Sequence, residues 1–125
     1  MNRQNISGTS PFEATIGFSR AVRIGNHVHV SGTAPVGADD LSAYEQTRYV
    51  LTLIESALHK AGAKFEDVVR TRMFIAKIED AQEVGRAHGE VFGVIRPAAT
   101  MVIAQMLNPK WRVEIEADAV LPGAG

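Results

Sequence analysis

The chain contains no cysteine, which excludes disulfides, thiolate zinc sites and a cysteine nucleophile. It also lacks an excess of either charge. Thirteen Lys and Arg stand against fourteen Asp and Glu, a net charge of −1, so no overall field draws it toward nucleic acid or an anionic membrane. No apolar run approaches the roughly 20 residues needed to cross a bilayer. Met1 to Gly8 carries no apolar h-region of a secretory signal, and the expectation is a cytoplasmic protein. No internal repeat or low-complexity block is visible. The glycines form no phosphate-loop spacing, and Ser19 and Ser31 lack the context of a nucleophile elbow.

What is present suits a single packed domain over residues 1–125. Hydrophobic residues make up 46% and charged residues 22% of the chain, enough apolar surface to build a core. Residues 1–15 mix polar residues with Gly and Pro and read as irregular. Ala21–Ile24 and His27–Val30 flank Gly25-Asn26, the pattern of a tight β-hairpin. Gly32, Pro35 and Gly37 then read as a loop. Ser42-Ala43-Tyr44-Glu45 is a capping-box pattern, followed by Val50, Ile54, Ala57, Leu58 and Ala61 at helical spacing and a stop at Gly62. This predicts a helix over about 42–61. Val68 to Lys77 reads as a strand. Asp80-Ala81-Gln82-Glu83 reads as the cap of a second helix that ends near Gly93. Thr100 to Met106 reads as a strand and Asn108-Pro109-Lys110 as a turn. Val113, Ile115, Ala117 and Ala119 alternate with charged residues on a last strand. The tail Pro122-Gly-Ala-Gly reads as frayed.

The order ββαβαββ predicts an α/β (α+β) two-layer sandwich. Its mixed sheet has two helices on one face, and the strand–helix–strand crossover makes two strands parallel. The bare face should carry Arg70, Arg72 and Phe74 from one strand and Arg112, Glu114, Glu116 and Asp118 from the last. A bare sheet face can be solvated, so the pattern alone does not demand an oligomer.

Several residues on this frame have chemistry to offer. Glu114 could serve as a general base or water anchor, or simply belong to a polar strand face. His88 titrates in a range suited to proton transfer, or packs on its helix. His27 and His29, two apart, point to one side, but no third metal ligand accompanies them, and no metal is expected. Arg72 could bind an anion or pair with Glu116 or Asp118. Arg96 precedes proline and should be extended. Trp111 beside Lys110 and Arg112 could stack a base or sit partly buried at a turn.

Three segments resemble the reactive-intermediate deaminase (RidA, YjgF-type) family. The first is Gly17-Phe18-Ser19-Arg20-Ala21-Val22, running through Gly25-Asn26 to Val30-Ser31-Gly32. The second is Ala61-Gly62 with Asp67-Val68-Val69-Arg70-Thr71. The third is Arg96-Pro97-Ala98-Ala99-Thr100, continuing to Val113-Glu114-Ile115-Glu116-Ala117. The resemblance implies a chorismate-mutase-like homotrimer with sheets inward and small-molecule clefts at the subunit interfaces. It also implies hydrolysis of enamines and imines such as 2-aminoacrylate, without metal or organic cofactor.

By this resemblance Glu114 stands at the water-positioning glutamate, and Ser31, Gly32 and Thr100 fit cleft-wall positions. Phe18 stands where tyrosine is common, and Gly85 and His88 replace the usual Asn and Tyr. Ala99 stands where the family's carboxylate-binding arginine is expected. Arginine grips a carboxylate through two charge-assisted bonds that alanine cannot make. Losing one partner of such a pair costs about 2–5 kcal/mol, a factor of roughly 30 to several thousand. The expectation is therefore an imine- or enamine-hydrolysing trimer that is not an efficient 2-aminoacrylate deaminase, unless another cation, Arg72 being the best candidate and Arg96 the next, replaces the lost one. Two alternatives remain: a non-catalytic metabolite-binding trimer, and an RNA- or protein-interacting regulator, since some relatives are described as ribonucleases or translation inhibitors.

Overall fold

A computed structural model describes residues 2–123. Six strands form one sheet: β1 (Arg3–Ile6), β2 (Ala21–Ile24), β3 (His27–Thr33), β4 (Val68–Ile75), β5 (Ala98–Ile103) and β6 (Val113–Val120). Two α-helices, α1 (Ala43–Lys60) and α2 (Ala81–Phe92), complete the fold. The spatial order is β1-β2-β3-β6-β4-β5. Only β4 and β5 pair in parallel; every other neighbouring pair is antiparallel. Among the described residues no helix is long and apolar enough to cross a membrane.

The two-layer mixed α+β sandwich agrees with the sequence reading, but its order is βββαβαββ. The N-terminal segment, expected to be irregular, supplies edge strand β1, which pairs with β2 from Arg3 opposite Ile24 to Ile6 opposite Ala21. Of its four residues only Ile6 is buried, so no hydrophobic alternation announces it. The backbone ladder holds it instead. A π-helical turn at Glu13–Gly17 then leads to β2. At the other end, Pro122 and Gly123 are exposed, and the rest of the expected frayed tail lies outside the described residues.

The hairpin forms as its turn chemistry dictates. Gly25 takes φ +59° in the two-residue loop, a left-handed conformation that glycine adopts without cost. Helix α1 is capped as expected: Ser42 Oγ accepts from Glu45 N at 3.1 Å, and the Glu45 carboxylate returns to Ser42 N at 3.4 Å. The expected cap of α2 does not form. Asp80 already has helical dihedrals, because a 3₁₀ turn at Ile78–Asp80 runs directly into the helix. Its side chain makes no cap bond and meets Arg112 Nη1 at 3.4 Å. Arg112 thus falls just before β6 and is drawn to the start of α2.

The core lies between the sheet and α1, with α2 packed beside α1. Val28, Val30, Met73, Ile75, Val113 and Ile115 face Val50, Leu51, Ile54 and Leu58. Ala117 and Ala119 are also buried there. Gln46 is fully buried and satisfied at both ends of its amide. Nε2 donates to Lys110 O at 3.0 Å and Ala38 O at 3.3 Å, and Oε1 accepts from Arg112 N at 2.8 Å. This glutamine ties α1 to the loop that enters β6, two residues before Glu114.

The opposite face of the sheet has no helix over it. It carries His27 and His29, Arg70, Arg72 and Phe74, and Glu114, Glu116 and Asp118.

Candidate functional site

Glu114 sits on the open face of β6, opposite Phe74 of β4. On its other side lies the end of β3, where the register with β6 shifts between Val30 and Thr33. Gly32, expected in a loop, is within this bulged strand end. A side chain at position 32 would overlap the Glu114 carboxylate. Glycine leaves room for the close approach of an acid, which a side chain here would push aside, and the bulge leaves that acid half-buried beside the backbone.

Burial raises the Glu114 carboxyl above its ordinary 4.5, Arg20 opposes that shift, and Glu116 adds to it. The other acids of β6 are engaged elsewhere. Arg72 Nη1 lies 3.2 Å from both Glu116 Oε1 and Asp118 Oδ2, and His29 Nδ1 lies 2.8 Å from Asp118 Oδ1. Arg72 is thus held by two carboxylates, and Glu114 is not among its partners.

Phe18, Ser31 and Gly32 join Glu114 at this end of the sheet. Ser31 Oγ donates to Ser19 O at 2.6 Å, and Ser31 N donates to Arg20 O at 3.0 Å. These bonds bind the Phe18–Arg20 run to β3. Arg20 Nη2 donates to Gly32 O at 2.9 Å, and its guanidinium carbon lies 5.7 Å from the Phe18 ring centre. Arg20 is half-buried, and burial lowers its pKa against the influence of Glu13 and then Glu114. The sequence reading attached no role to Arg20. No local signal could have done so, because its place beside Glu114 depends on pairing strands from both ends of the chain.

The remaining site residues lie apart from this cluster. Ala99 stands beside Thr71 in the parallel register. Thr71 is buried on the helix side, and its Oγ1 lies 2.9 Å from His88 Nε2. His88 also packs on Phe92, with ring centres 4.7 Å apart, and burial lowers its pKa, so it is neutral at physiological pH. Thr100 lies on the open side at the β5 edge, where its hydroxyl accepts from Arg70 Nη2 at 3.0 Å. Between Thr100 and the Glu114 strand stands β4, and Thr100 is level with Glu116 rather than Glu114, so the two groups are roughly 12 Å apart across the sheet. Arg96 is not extended as the following proline suggested. It takes φ +56° just before β5 and is exposed.

Within one subunit, then, a half-buried acid, a guanidinium and an aromatic ring gather at one end of the sheet, and His88, Ala99 and Thr100 at the other edge. The candidate residues of this α+β domain thus fall into two groups within one subunit. The profile of the family described as endoribonuclease L-PSP matches residues 8–121, and the chain belongs to that family, which is also the RidA/YjgF family. Rv2704 of Mycobacterium tuberculosis, described as a member of the YjgF/YER057c/UK114 family, superposes with a TM-score of 0.89. It is 47% identical, over 96% of this chain and 100% of that one. An uncharacterized protein of Streptomyces coelicolor is 35% identical over 93% of this chain and 90% of its own. The 2-iminobutanoate/2-iminopropanoate deaminase of Bos taurus is 31% identical over 94% of this chain and 90% of its own.

Proposed function

We propose that the protein is a homotrimer that hydrolyses an imine or enamine in clefts between subunits, with Glu114 holding the attacking water. The observation that carries this reading is the division of the site. Glu114, Phe18, Ser31 and Gly32 occupy one end of the sheet, and His88, Ala99 and Thr100 the far edge. A second copy laid against the open face and around the β5 edge would bring one half to the other.

The chemistry needs little from the protein. An enamine tautomerises to its imine. Water adds to the carbon of the protonated imine as Glu114 accepts a proton from it, giving a neutral carbinolamine. Proton return to nitrogen expels ammonia and leaves the carbonyl. Glu114 suits the base role because burial has raised its pKa toward the working pH. The similarity to a bovine 2-iminobutanoate/2-iminopropanoate deaminase supports this substrate class. Ala99 sets the expectation of a low rate on 2-aminoacrylate, because no guanidinium stands at that position to take the carboxylate.

The test couples oligomer and turnover. Light scattering after size exclusion should give three subunits, and a panel of imines should show ammonia release above the uncatalysed rate. A monomer at micromolar concentration would sink the interface cleft. A trimer that binds imines or their keto products without releasing ammonia would instead make it a metabolite-binding protein.

A further inference from the structure

Two carboxylates absorb Arg72, and Arg96 is exposed on a left-handed residue beyond the β5 edge. Neither is placed at Glu114. A third arginine is.

Arg20 is held with little freedom. Its backbone continues the β1–β2–β3 ladder, donating to Ile6 O at 2.9 Å and accepting from Ser31 N at 3.0 Å. Its stem packs where Gly8 comes close, since a side chain at position 8 would lie 3.1 Å from Arg20 Cβ. One guanidinium nitrogen is committed to Gly32 O, and Nε is buried without a partner among the described residues. Glu13 and, less strongly, Glu114 act on Arg20 through space, while Glu13 Oε2 accepts from Gly8 N at 2.9 Å. The half-buried guanidinium thus has no carboxylate within ion-pair distance among the described residues, and water screens its charge poorly. Such a guanidinium suits a small anion.

Gly32 relates this cation to the acid. Arg20 grips the Gly32 carbonyl, and the Glu114 carboxylate occupies the space beside the Gly32 α-carbon. A ligand held by one side chain lies against the other. Phe18 offers a flat apolar wall next to the guanidinium.

We infer that Arg20 is the anion anchor of the cleft and that it binds the carboxylate of a small acid whose neighbouring carbon is an imine or carbonyl. This rests on the proposed imine hydrolysis and deepens it. The carboxylate is taken by the subunit that carries Glu114, from the opposite direction to an arginine at position 99.

The probe is pyruvate, a stable acid of this shape, titrated calorimetrically into the full-length protein against pyruvamide, its neutral counterpart. The wild type should prefer pyruvate. Arg20→Gln should weaken pyruvate binding by about 30-fold or more, the loss expected when one partner of a charged pair is removed, and should erase the preference over pyruvamide. Arg20→Lys keeps a charge without the planar fork and should fall between the two, which preserves the test if Arg20→Gln does not fold. Arg96→Gln should bind as the wild type does. Wild-type protein that ignores millimolar pyruvate, or folded Arg20 variants that bind it unchanged, would overturn the assignment. Ammonia release is read separately. Arg20-dependent pyruvate binding without turnover of any imine removes the enzyme and keeps the anchor. Turnover that survives in Arg20→Gln does the reverse.

Discussion

Two half-buried groups, Glu114 and His88, are held at opposite ends of the site, and burial shifts them in opposite senses. The folded protein binds the Glu114 proton more tightly than the unfolded chain does. Stability should therefore fall as pH rises from about 4.5 through the raised folded value. Glu114→Gln removes that loss, so its melting temperature relative to wild type should be higher at pH 7 than at pH 4. The same variant should lower imine turnover by about 10²–10⁴-fold, the usual weight of one acid–base group. Wild-type kcat/KM should decline as pH drops through the raised Glu114 value. Gain in stability without loss of turnover would remove Glu114 from the chemistry. His88 behaves the other way: its folded pKa lies below 6.5, so stability should be lost as pH falls from 6.5 through that lower value. His88→Asn has no proton to gain there. Thermal melts at pH 7.5 and pH 5 should differ less for it than for wild type.

At Ala99 the prediction concerns gain. The position is exposed and lies beside Thr71 at the outer strand, so Ala99→Arg meets no steric bar in the subunit. It should raise 2-aminoacrylate deamination in the coupled assay. No increase would mean that Phe18, Gly85 or His88 has reshaped the cleft as well.

Among the elements, β6 is the one whose placement matters most, because it carries Glu114 between β3 and β4. Its entry is secured by Gln46 of α1, which bonds the backbone of both Lys110 and Arg112. Gln46→Ala would leave the buried Ala38 carbonyl and the part-buried Lys110 carbonyl and Arg112 amide without this partner, at a cost of about 2 kcal/mol or more. Urea denaturation at fixed protein concentration should show the loss as a lower midpoint with an unchanged slope. Activity per folded molecule should drop as well, since the Glu114 strand loses its anchor. An unchanged midpoint would mean that the β6 ladder alone sets the strand.

For the molecule as a whole, strand β5 is the unusual feature. It is an unpaired edge that leaves Val102 43% and Ile103 57% exposed. An open apolar edge of this kind invites association and normally has to be covered. Beside it runs a sheet face on which Arg72, Glu116, Asp118 and His29 already satisfy one another. Packing copies of the chain on this side would cover the edge without burying unpaired charge. Val102→Asp, on the open side of that edge, should therefore shift the light-scattering mass from the proposed trimer toward a monomer and abolish imine turnover with it. A Val102→Asp protein that keeps three subunits would place the interface elsewhere.

Much of this architecture was legible in short stretches of sequence. Gly25-Asn26 between two β-branched runs dictates a hairpin because few residues tolerate its turn dihedrals. Ser42 and Glu45 dictate where α1 begins because they satisfy its first amides. Alternation from Val113 to Ala119 dictates which side of β6 faces the core, and so places Glu114 on the open side. These are local effects, settled within a few residues. The tertiary structure alone decided what depends on partners distant in the chain. Strand β1 exists because β2 offers it hydrogen bonds, although only one of its residues is buried. Gly32 is a strand residue because β6 pairs up to it, and Asp80 abandons its cap for an arginine 32 residues away. Arg20 and Glu114 became neighbours only when β6 was inserted between β3 and β4, a juxtaposition set by the topology of the sheet and by no pattern within either segment.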